Sequence, residues 1–354
     1  MKRGNYIAVS KKAKITIILT FFLFMTLVSF FTSNICLGGE KAEASQVKSA
    51  VCVMERSSRR VLYAENADMR LPMASTTKIL TAATVIEEGI SLKEEVEIPK
   101  EAVGVEGSSI YLQEGEKYTL EELLYGLMLR SGNDAATALA LKVGGSIPDF
   151  CAKMNLLAQK SGAINSRFSN PHGLPQKNHY TTATDLSLIT AYAMQSPTFC
   201  QIAATKYYEP KNWYNKNKLL SSFDGAIGVK TGYTQEAGRC LVAAAEKDWM
   251  QVICTLLNCY DHYATAKRLL TDAFANYKMY EVVSKNESFS LKIGKRNLRG
   301  AIKESCYYPL LEEEKAYLTR HIRAYEEEKA DGGIGEIEIS LAKRLIFSEK
   351  LYKL

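Results

Sequence analysis

A serine and a lysine three residues apart stand at the head of an apolar run. The sequence is Ser75-Thr76-Thr77-Lys78, and residues 79–86 are almost all Ile, Leu, Val, Ala or Thr, which predicts a buried helix. A hydroxyl at this point can serve as a helix N-cap. That does not explain Lys78, because burial and the positive end of the helix dipole both favour a neutral amine. A neutral amine one turn from a serine is a general base beside a nucleophile.

Spacing alone does not select this tetrad, because residues 45–48 and 340–343 also fit S-x-x-K. Two further motifs follow it along the chain, Ser131-Gly132-Asn133 at a predicted helix junction and Lys230-Thr231-Gly232 at a predicted strand. Taken singly, the first is compatible with a turn and the second with a strand end. The ordered set S-x-x-K, S-x-N, K-T-G is typical of enzymes whose own active-site serine is acylated by the substrate. A second S-x-N at residues 284–286 follows the K-T-G and does not fit this order.

The elements around these motifs predict one antiparallel sheet covered by helices. Two short strands are predicted before residue 66, and a mainly helical middle follows. Three strand-like runs, "AIGVKTGY", "GRCLVAAAE" and "MQVICTLLN", then precede a helix over residues 262–277. Strands at both ends of the sequence with helices between them favour an α/β (α+β) fold. After residue 279, short alternating runs predict a small β-rich domain.

The N-terminal segment has the features of an export signal. Basic residues precede the apolar run of residues 15–31, and Ala42-Glu43-Ala44 offers a small-residue cleavage site. An uncleaved membrane anchor is the alternative, since the apolar run is long for a signal. The domain boundaries predicted are therefore 1–44 for the signal peptide, 45–278 for the catalytic domain and 279–354 for the β-rich domain.

Charge and cysteine content exclude other classes of function. The formal net charge of +6 is carried mostly by the first 44 residues, so no basic patch indicates a nucleic-acid partner. The eight cysteines are scattered without a C-x-x-C, and the four histidines do not cluster with them, so we expect no metal site or other cofactor. Several cysteines lie in apolar runs, which favours buried thiols over disulfides.

Longer segments around the motifs resemble the serine D-alanyl-D-alanine carboxypeptidases, the low-molecular-weight penicillin-binding proteins. They include "GSSIYLQEGEKYTLEELLYGLMLRSGNDAATALA", "FSNPHGL" and "NKNKLLSSFDGAIGVKTGYTQEAG". The resemblance implies the DD-peptidase fold, followed by that family's small C-terminal β domain. It also implies a D-Ala-D-Ala stem peptide of peptidoglycan as substrate, β-lactams as covalent inhibitors, and an extracytoplasmic location in the bacterial cell envelope.

The resemblance also implies a role for each motif residue. Ser75 is the nucleophile and Lys78 its base, while Ser131 passes a proton to the leaving amine and Asn133 holds the substrate amide. The substrate-binding residues are Lys230 and Thr231 for the terminal carboxylate, Gly232 for close approach of the peptide, and Tyr233, whose N–H joins that of Ser75 in an oxyanion hole. One departure from the family is that Cys259-Tyr260-Asp261-His262 stand where a basic residue is often found.

Three other interpretations stay open at this stage. A class A β-lactamase needs a glutamate that holds the deacylating water, and Glu209 is the only candidate, at an unsuitable spacing. A Ser-His-Asp hydrolase needs one of the four histidines, of which His172 is the best placed. A penicillin-binding receptor or structural protein would be acylated without turnover. Finally, the alternating C-terminal sequence predicts a hairpin and not an amphipathic anchor, so membrane contact is expected only through an uncleaved N-terminus.

Overall fold

A five-stranded antiparallel sheet forms the centre of the protein. The computed structural model describes residues 49–354. The strand order is β2-β1-β9-β8-β7, which leaves β7 at an edge. The bounds are Ala50–Glu55 (β1), Val61–Glu65 (β2), Ala226–Thr234 (β7), Gly238–Lys247 (β8) and Met250–Leu257 (β9). The three predicted late strands are therefore three neighbouring strands of one sheet.

Helices cover both faces of this sheet. They are α1 (Lys78–Glu87), α2 (Leu120–Tyr125), α3 (Asn133–Gly144), α4 (Ile147–Ser161), α5 (Ala183–Ala193), α6 (Pro197–Ala204), α7 (Leu219–Ser222) and α8 (His262–Asn276). One buried core joins α1 and α3–α6 to one face, and a second core joins α8 to the other. Alternating residues of β8 contribute to the two cores, Val242 to the first and Ala243 to the second, as the period of a strand requires. The predicted α/β (α+β) fold class is confirmed.

The helix α1 does not begin as an N-cap would require. A 3₁₀ turn, Ala74–Thr77, precedes it, and no side chain caps α1. The hydroxyls of Thr76 and Thr77 instead donate back to the carbonyls of Met73 and Ala74, at 2.6 and 2.8 Å. The capping explanation of the hydroxyl cluster is therefore wrong, and the cluster stabilises the turn that carries Ser75.

The remaining short strands pair as hairpins within the helical region. They are β3 (Glu95–Glu97) with β4 (Lys117–Thr119), and β5 (Tyr207–Tyr208) with β6 (Trp213–Tyr214). Tyr208 stacks on Tyr125 of α2, with ring centroids 4.0 Å apart. This contact holds the β5–β6 hairpin against the helices that precede the S-x-N motif.

The C-terminal part is built of strands around its own hydrophobic core. Its strands are β10 (Lys278–Val283), β11 (Phe289–Ile293), β12 (Arg296–Ala301), β13 (Cys306–Leu310), β14 (Leu318–Ala324), β15 (Gly333–Leu341) and β16 (Arg344–Lys353). Five of them form a sheet of order β11-β12-β16-β15-β14, and β15 pairs with β16 as the sequence alternation predicted. Arg60, which lies between β1 and β2, forms an ion pair with Glu314 of this C-terminal part, with 2.5 Å between Nη2 and Oε1. The domain boundary at residue 279 stays a prediction.

The signal segment 1–44 and its cleavage site lie outside the described residues. Within residues 49–354, no helix has the length and apolarity needed to cross a bilayer. All seven cysteines of this described part are free thiols, six of them buried, in agreement with the expectation from their apolar surroundings.

Candidate active site

Ser75 lies in the 3₁₀ turn between the sheet and α1. Ala74 before it has a positive φ of 48°, a conformation that an alanine adopts only when its surroundings impose it. A loop of residues 170–174 packs against this turn, so closely that a Cβ on Gly173 would lie 1.9 Å from the Ala74 carbonyl oxygen. Asn170 closes that loop by accepting from the Gly173 N–H at 2.7 Å. The nucleophile turn is thus held by a distant segment of the chain.

Lys78 lies in the first turn of α1 and is completely buried. Its Nζ is 2.7 Å from Asn133 Oδ1, 2.6 Å from the His172 carbonyl oxygen and 3.1 Å from Ser75 Oγ. The first two atoms are obligate acceptors. A neutral amine has two N–H groups, which these acceptors take up, and one lone pair, which is left facing the serine hydroxyl. The geometry therefore suits proton transfer from Ser75 to Lys78.

Electrostatics around Lys78 favour that neutral amine. Burial, followed by the charges of Lys230 and Lys216, lowers the pKa of Lys78 well below its usual value, while Asp134 acts weakly in the opposite direction. Burial, followed by the charge of Lys216, likewise lowers the pKa of Lys230 to about 7. A neighbouring positive charge disfavours the ammonium form of a buried lysine. The lowered pKa of Lys78 favours the neutral amine that a general base requires.

Ser131 and Asn133 occupy the junction before α3. Ser131 is in the left-handed conformation (φ 65°) at the end of the π-helical turn Gly126–Arg130. It is nearly buried, and its hydroxyl has no hydrogen-bond partner among residues 49–354. Asn133 begins α3, donates from Nδ2 to the Glu106 carbonyl at 2.5 Å, and accepts from Lys78. The next residue, Asp134, accepts from the amides of Ile110 and Leu112, which fixes the segment beside the cleft.

The K-T-G motif lies in the edge strand β7, directly against the nucleophile turn. A Cβ on Gly232 would be 3.0 Å from Ser75 N and 3.0 Å from the Met73 carbonyl oxygen, so any larger residue would push the strand and the turn apart by a few tenths of an ångström. Lys230 is buried, and its Nζ donates to the Thr231 carbonyl at 3.0 Å. Tyr233, the next residue, is 65% exposed. The strand edge and the nucleophile turn thus form the two walls of a cleft.

Two contributors to the site were missed by the search for side-chain motifs. The His172 carbonyl that accepts from Lys78 is a backbone group, which no residue pattern reveals. Lys216 is exposed and donates to Ser108 Oγ at 3.1 Å, and its charge lowers the pKa of both Lys78 and Lys230. Lys216 lies in one of the family-like segments, "NKNKLLSSFDGAIGVKTGYTQEAG", which is the signal that could have identified it.

A different cation stands near the segment where the family's basic residue is missing. Arg239 is opposite Tyr233 in the β7–β8 pairing, and its guanidinium lies 5.1 Å from the centre of the Tyr260 ring. In the same pairing Thr231 is opposite Leu241, so Arg239 and Thr231 are diagonal neighbours on one face of the sheet. Such neighbours are about 7–8 Å apart, within reach of a long side chain.

The geometry does not favour the two catalytic alternatives. The Glu209 carbonyl accepts from the Asn212 N–H at 3.1 Å, and its carboxylate makes no hydrogen bond or ion pair within the described part of the chain. Burial lowers the pKa of His172 to about 3, with a further effect from Lys78, and its Nδ1 accepts from the Leu174 N–H at 3.2 Å. None of the described histidine rings hydrogen-bonds to Ser75. The described residues also contain no group of three or more His, Cys, Asp or Glu side chains able to hold a metal ion.

Comparisons with known proteins identify the family of the chain. Residues 39–261 match the model of the D-alanyl-D-alanine carboxypeptidase family. The chain is 34% identical over 259 residues to the D-alanyl-D-alanine carboxypeptidase DacF of Bacillus subtilis, covering 69% of this chain and 66% of that protein. It is 39% identical over 227 residues to the D-alanyl-D-alanine carboxypeptidase of a Streptomyces species, covering 58% of this chain and 78% of that protein.

A solved structure extends the similarity to most of the chain. The crystal structure of penicillin-binding protein 5 from Haemophilus influenzae has a TM-score of 0.74 to this one at 25% identity, covering 86% of this chain and 96% of that one. The match includes the C-terminal strands, since it exceeds the catalytic part. The family predicted from the motifs is confirmed, and the chain belongs to the D-alanyl-D-alanine carboxypeptidase family of serine peptidases, the low-molecular-weight penicillin-binding proteins.

Proposed function

We propose that this protein is a serine-type D-alanyl-D-alanine carboxypeptidase that removes the terminal D-alanine of peptidoglycan stem pentapeptides through an acyl-enzyme on Ser75. The observation that carries the assignment of residues is the position of Lys78 Nζ. Its Nζ lies 2.7 and 2.6 Å from two carbonyl oxygens and 3.1 Å from Ser75 Oγ, so an amine that donates to the two carbonyls can accept the serine proton. Family membership supports the reaction and the substrate class.

In the acylation step, the Ser75 hydroxyl transfers its proton to Lys78 while Oγ forms a bond to the carbonyl carbon of the D-Ala-D-Ala peptide. The oxyanion is stabilised by the N–H groups of Ser75 and Tyr233, each contributing about 2.7–4 kcal/mol in comparable sites. The C–N bond then breaks, and the departing amine receives the proton from Lys78 through Ser131. The free hydroxyl of Ser131 at the cleft is consistent with that transfer, and Asn133 keeps Lys78 in place.

Lys230 and Thr231 bind the carboxylate of the leaving D-alanine. With a pKa near 7, Lys230 is only partly charged in the empty site, and an arriving carboxylate favours its ammonium form. Arg239 supplies a second cation on the Thr231 face of β7 and takes the place of the basic residue absent after β9. The pairing of Arg239 with Tyr233 and its contact with Tyr260 support this role.

The acyl-enzyme is then resolved by water. The water gives a proton to Lys78 as it attacks the ester carbon, the bond to Ser75 Oγ breaks, and Oγ takes the proton back as the peptide leaves shortened by one residue. A β-lactam imitates the D-Ala-D-Ala unit and acylates the same serine. Since no second leaving group departs from an opened β-lactam, its adduct blocks the approach of water and persists.

Proteins of this family function in the periplasm or cell envelope. For this chain we propose export by the segment 1–44, with the enzyme secreted or held at its wall substrate after cleavage. Any membrane contact is through the N-terminal segment, if that segment is not removed. The exposed lysines of β16 do not add a stable anchor, since each contributes only about 1 kcal/mol near an anionic surface.

Mass spectrometry after benzylpenicillin treatment tests the assignment of the nucleophile. We expect the adduct on the peptide that contains Ser75, and none after Ser75→Ala substitution. An adduct on Ser45, Ser131 or Ser340 would overturn the assignment. Incubation with a synthetic pentapeptide should release D-alanine in repeated turnovers. A single turnover would support the receptor alternative, and sustained hydrolysis of a chromogenic cephalosporin would support a β-lactamase.

A further inference from the structure

A charged pocket lies between segments that are close in sequence to the Ser75 turn, to the loop 170–174 and to β7. It is lined by residues 70–72, residues 175–180 and Glu236, and its volume is about 430 Å³. That volume is within the range of about 300–1,000 Å³ typical of small-ligand sites. Residues 70–72 immediately precede the nucleophile turn, residues 175–180 follow the loop that packs on it, and Glu236 lies in the turn after β7. All three walls therefore adjoin the catalytic cleft.

The direction of the substrate points toward this pocket. This step rests on the proposed function, which puts the terminal carboxylate at Lys230 and Thr231 and the reacting carbonyl at Tyr233. The peptide therefore runs antiparallel to β7, as an added strand does, and its upstream residues extend toward Thr234 and the β7–β8 turn. At about 3.4 Å per residue, the residue before the D-Ala-D-Ala unit lies at the end of β7. Its side chain is then beside the pocket.

The rim of the pocket carries charged side chains of both signs, and most of them have no ion-pair partner in the described part of the chain. Glu236 on one side and Lys177 on the other are exposed, and neither has a hydrogen bond or ion pair among residues 49–354. Arg70 adds a cation that is held over the Tyr180 ring at 5.1 Å. On the floor, His179 is buried, and burial lowers its pKa to about 4, so it is neutral at pH 7. Discrimination by charge must therefore come from the rim.

We propose that this pocket binds the side chain of the third stem-peptide residue, a diamino acid, and that it selects a side chain ending in both an ammonium and a carboxylate. Glu236 pairs with the ammonium, and Lys177 and Arg70 pair with the carboxylate. Diaminopimelate has such an end, whereas lysine has the ammonium alone. The preferred substrate is thus a diaminopimelate-containing stem peptide.

Three pentapeptides that differ only at the third residue test the proposal, with Nε-acetyl-lysine, lysine or meso-diaminopimelate at that position. The measured quantities are ratios of kcat/KM, which cancel any general loss of activity. Glu236→Gln should lower the lysine to acetyl-lysine ratio about 2- to 5-fold, the range of an exposed ion pair. Lys177→Gln should lower the diaminopimelate to lysine ratio by a similar factor. Both contrasts should shrink in about 1 M salt.

Glu304→Gln is the matched control, since Glu304 is exposed in the C-terminal part and should leave both ratios unchanged. Ratios that stay within about 1.5-fold of wild type in the Glu236 and Lys177 variants would overturn the proposal. The same ratios can be measured by competition of each peptide with fluorescent penicillin for Ser75, which requires binding only. Discrimination in that assay without release of D-alanine would refute the proposed function while supporting the pocket.

Discussion

Substitution of Gly232 by alanine should disable the enzyme without unfolding it. The added methyl would lie 3.0 Å from both Ser75 N and the Met73 carbonyl oxygen, and 3.1 Å from Thr76 N. Ordinary contacts begin near 3.4 Å, so β7 and the nucleophile turn must separate by about 0.4 Å. All three neighbours are backbone atoms of a tightly held turn and cannot rotate away. The φ of Gly232 is accessible to alanine, so the effect is steric and local.

The separation affects the two N–H groups proposed for the oxyanion hole. Such donors are effective at about 2.7–3.1 Å from the oxyanion, and an added 0.4 Å takes a donor at about 2.9 Å, the middle of that range, out of it. Loss of one donor costs about 2.7–4 kcal/mol, which corresponds to a fall in kcat of about 10²- to 10³-fold. The assay is stopped-flow acylation by benzylpenicillin together with D-alanine release from a pentapeptide.

Gly333→Ala provides the matched control, because the new methyl lies 3.0 Å from an Asp331 carboxylate oxygen, a side-chain atom, and its other neighbours are at ordinary contact distances of 3.6 and 3.8 Å. We expect its kcat to remain within about twofold of wild type. Thermal unfolding should show that Gly232→Ala keeps its melting temperature within about 4 °C. A well-folded Gly232→Ala protein that is acylated within about threefold of the wild-type rate would refute the reasoning.

Three further outcomes follow from the lysines and the arginine of the cleft. Lys78→Met should reduce the rate of acylation by every substrate by about 10²- to 10⁴-fold, the range of general-base catalysis. Lys230→Met should mainly abolish the preference for a peptide with a free carboxylate over one with a C-terminal amide. Equal losses of acylation rate and of carboxylate preference in the two variants would contradict this division of roles. The profile of kcat/KM against pH should fall on the acid side as Lys78 gains a proton and on the alkaline side as Lys230 loses one. Lys216→Gln removes a charge that lowers both pKa values, so both limbs should move to higher pH, and a move to lower pH would show the sign to be wrong. Arg239→Gln should raise KM about 2- to 5-fold for the free peptide and leave the amide unaffected, and an equal rise for both would remove Arg239 from carboxylate binding.

The sequence predicts those parts of the protein that depend on residue type and local period. Alternation and apolar runs identified β7, β8 and β9, and the order of three motifs selected one S-x-x-K from three. Hydroxyl residues at a helix start were a weaker guide. An N-cap and a 3₁₀ turn need the same residue types, and only the packing of Gly173 against Ala74 decides between them.

Other features of the site have no local signal. The His172 carbonyl approaches Lys78 through a loop ninety-four positions away. The left-handed conformation of Ser131 comes at the end of a π-helical turn. No residue type in that turn predicts a π-helix. The low pKa of Lys78 depends on burial and on two lysines from the second half of the chain. Each of these properties arises from long-range packing, so a single sequence cannot reveal it.

The burial of Lys230 also makes the stability of the folded state depend on pH, and it makes the fold more stable as the pH rises. Its pKa falls from 10.5 to about 7 on folding, so the unfolded chain binds more protons between these values and the free energy of unfolding rises with pH there. At up to about 1.4 kcal/mol per pH unit between these two pKa values, the protein forgoes about 4 kcal/mol of stability at pH 7 relative to pH 10.5. The burial of Lys78 acts in the same direction. An acyl-enzyme that carries a carboxylate beside Lys230 relieves part of this penalty, so inhibition by a β-lactam should make the fold more resistant to heat and proteolysis.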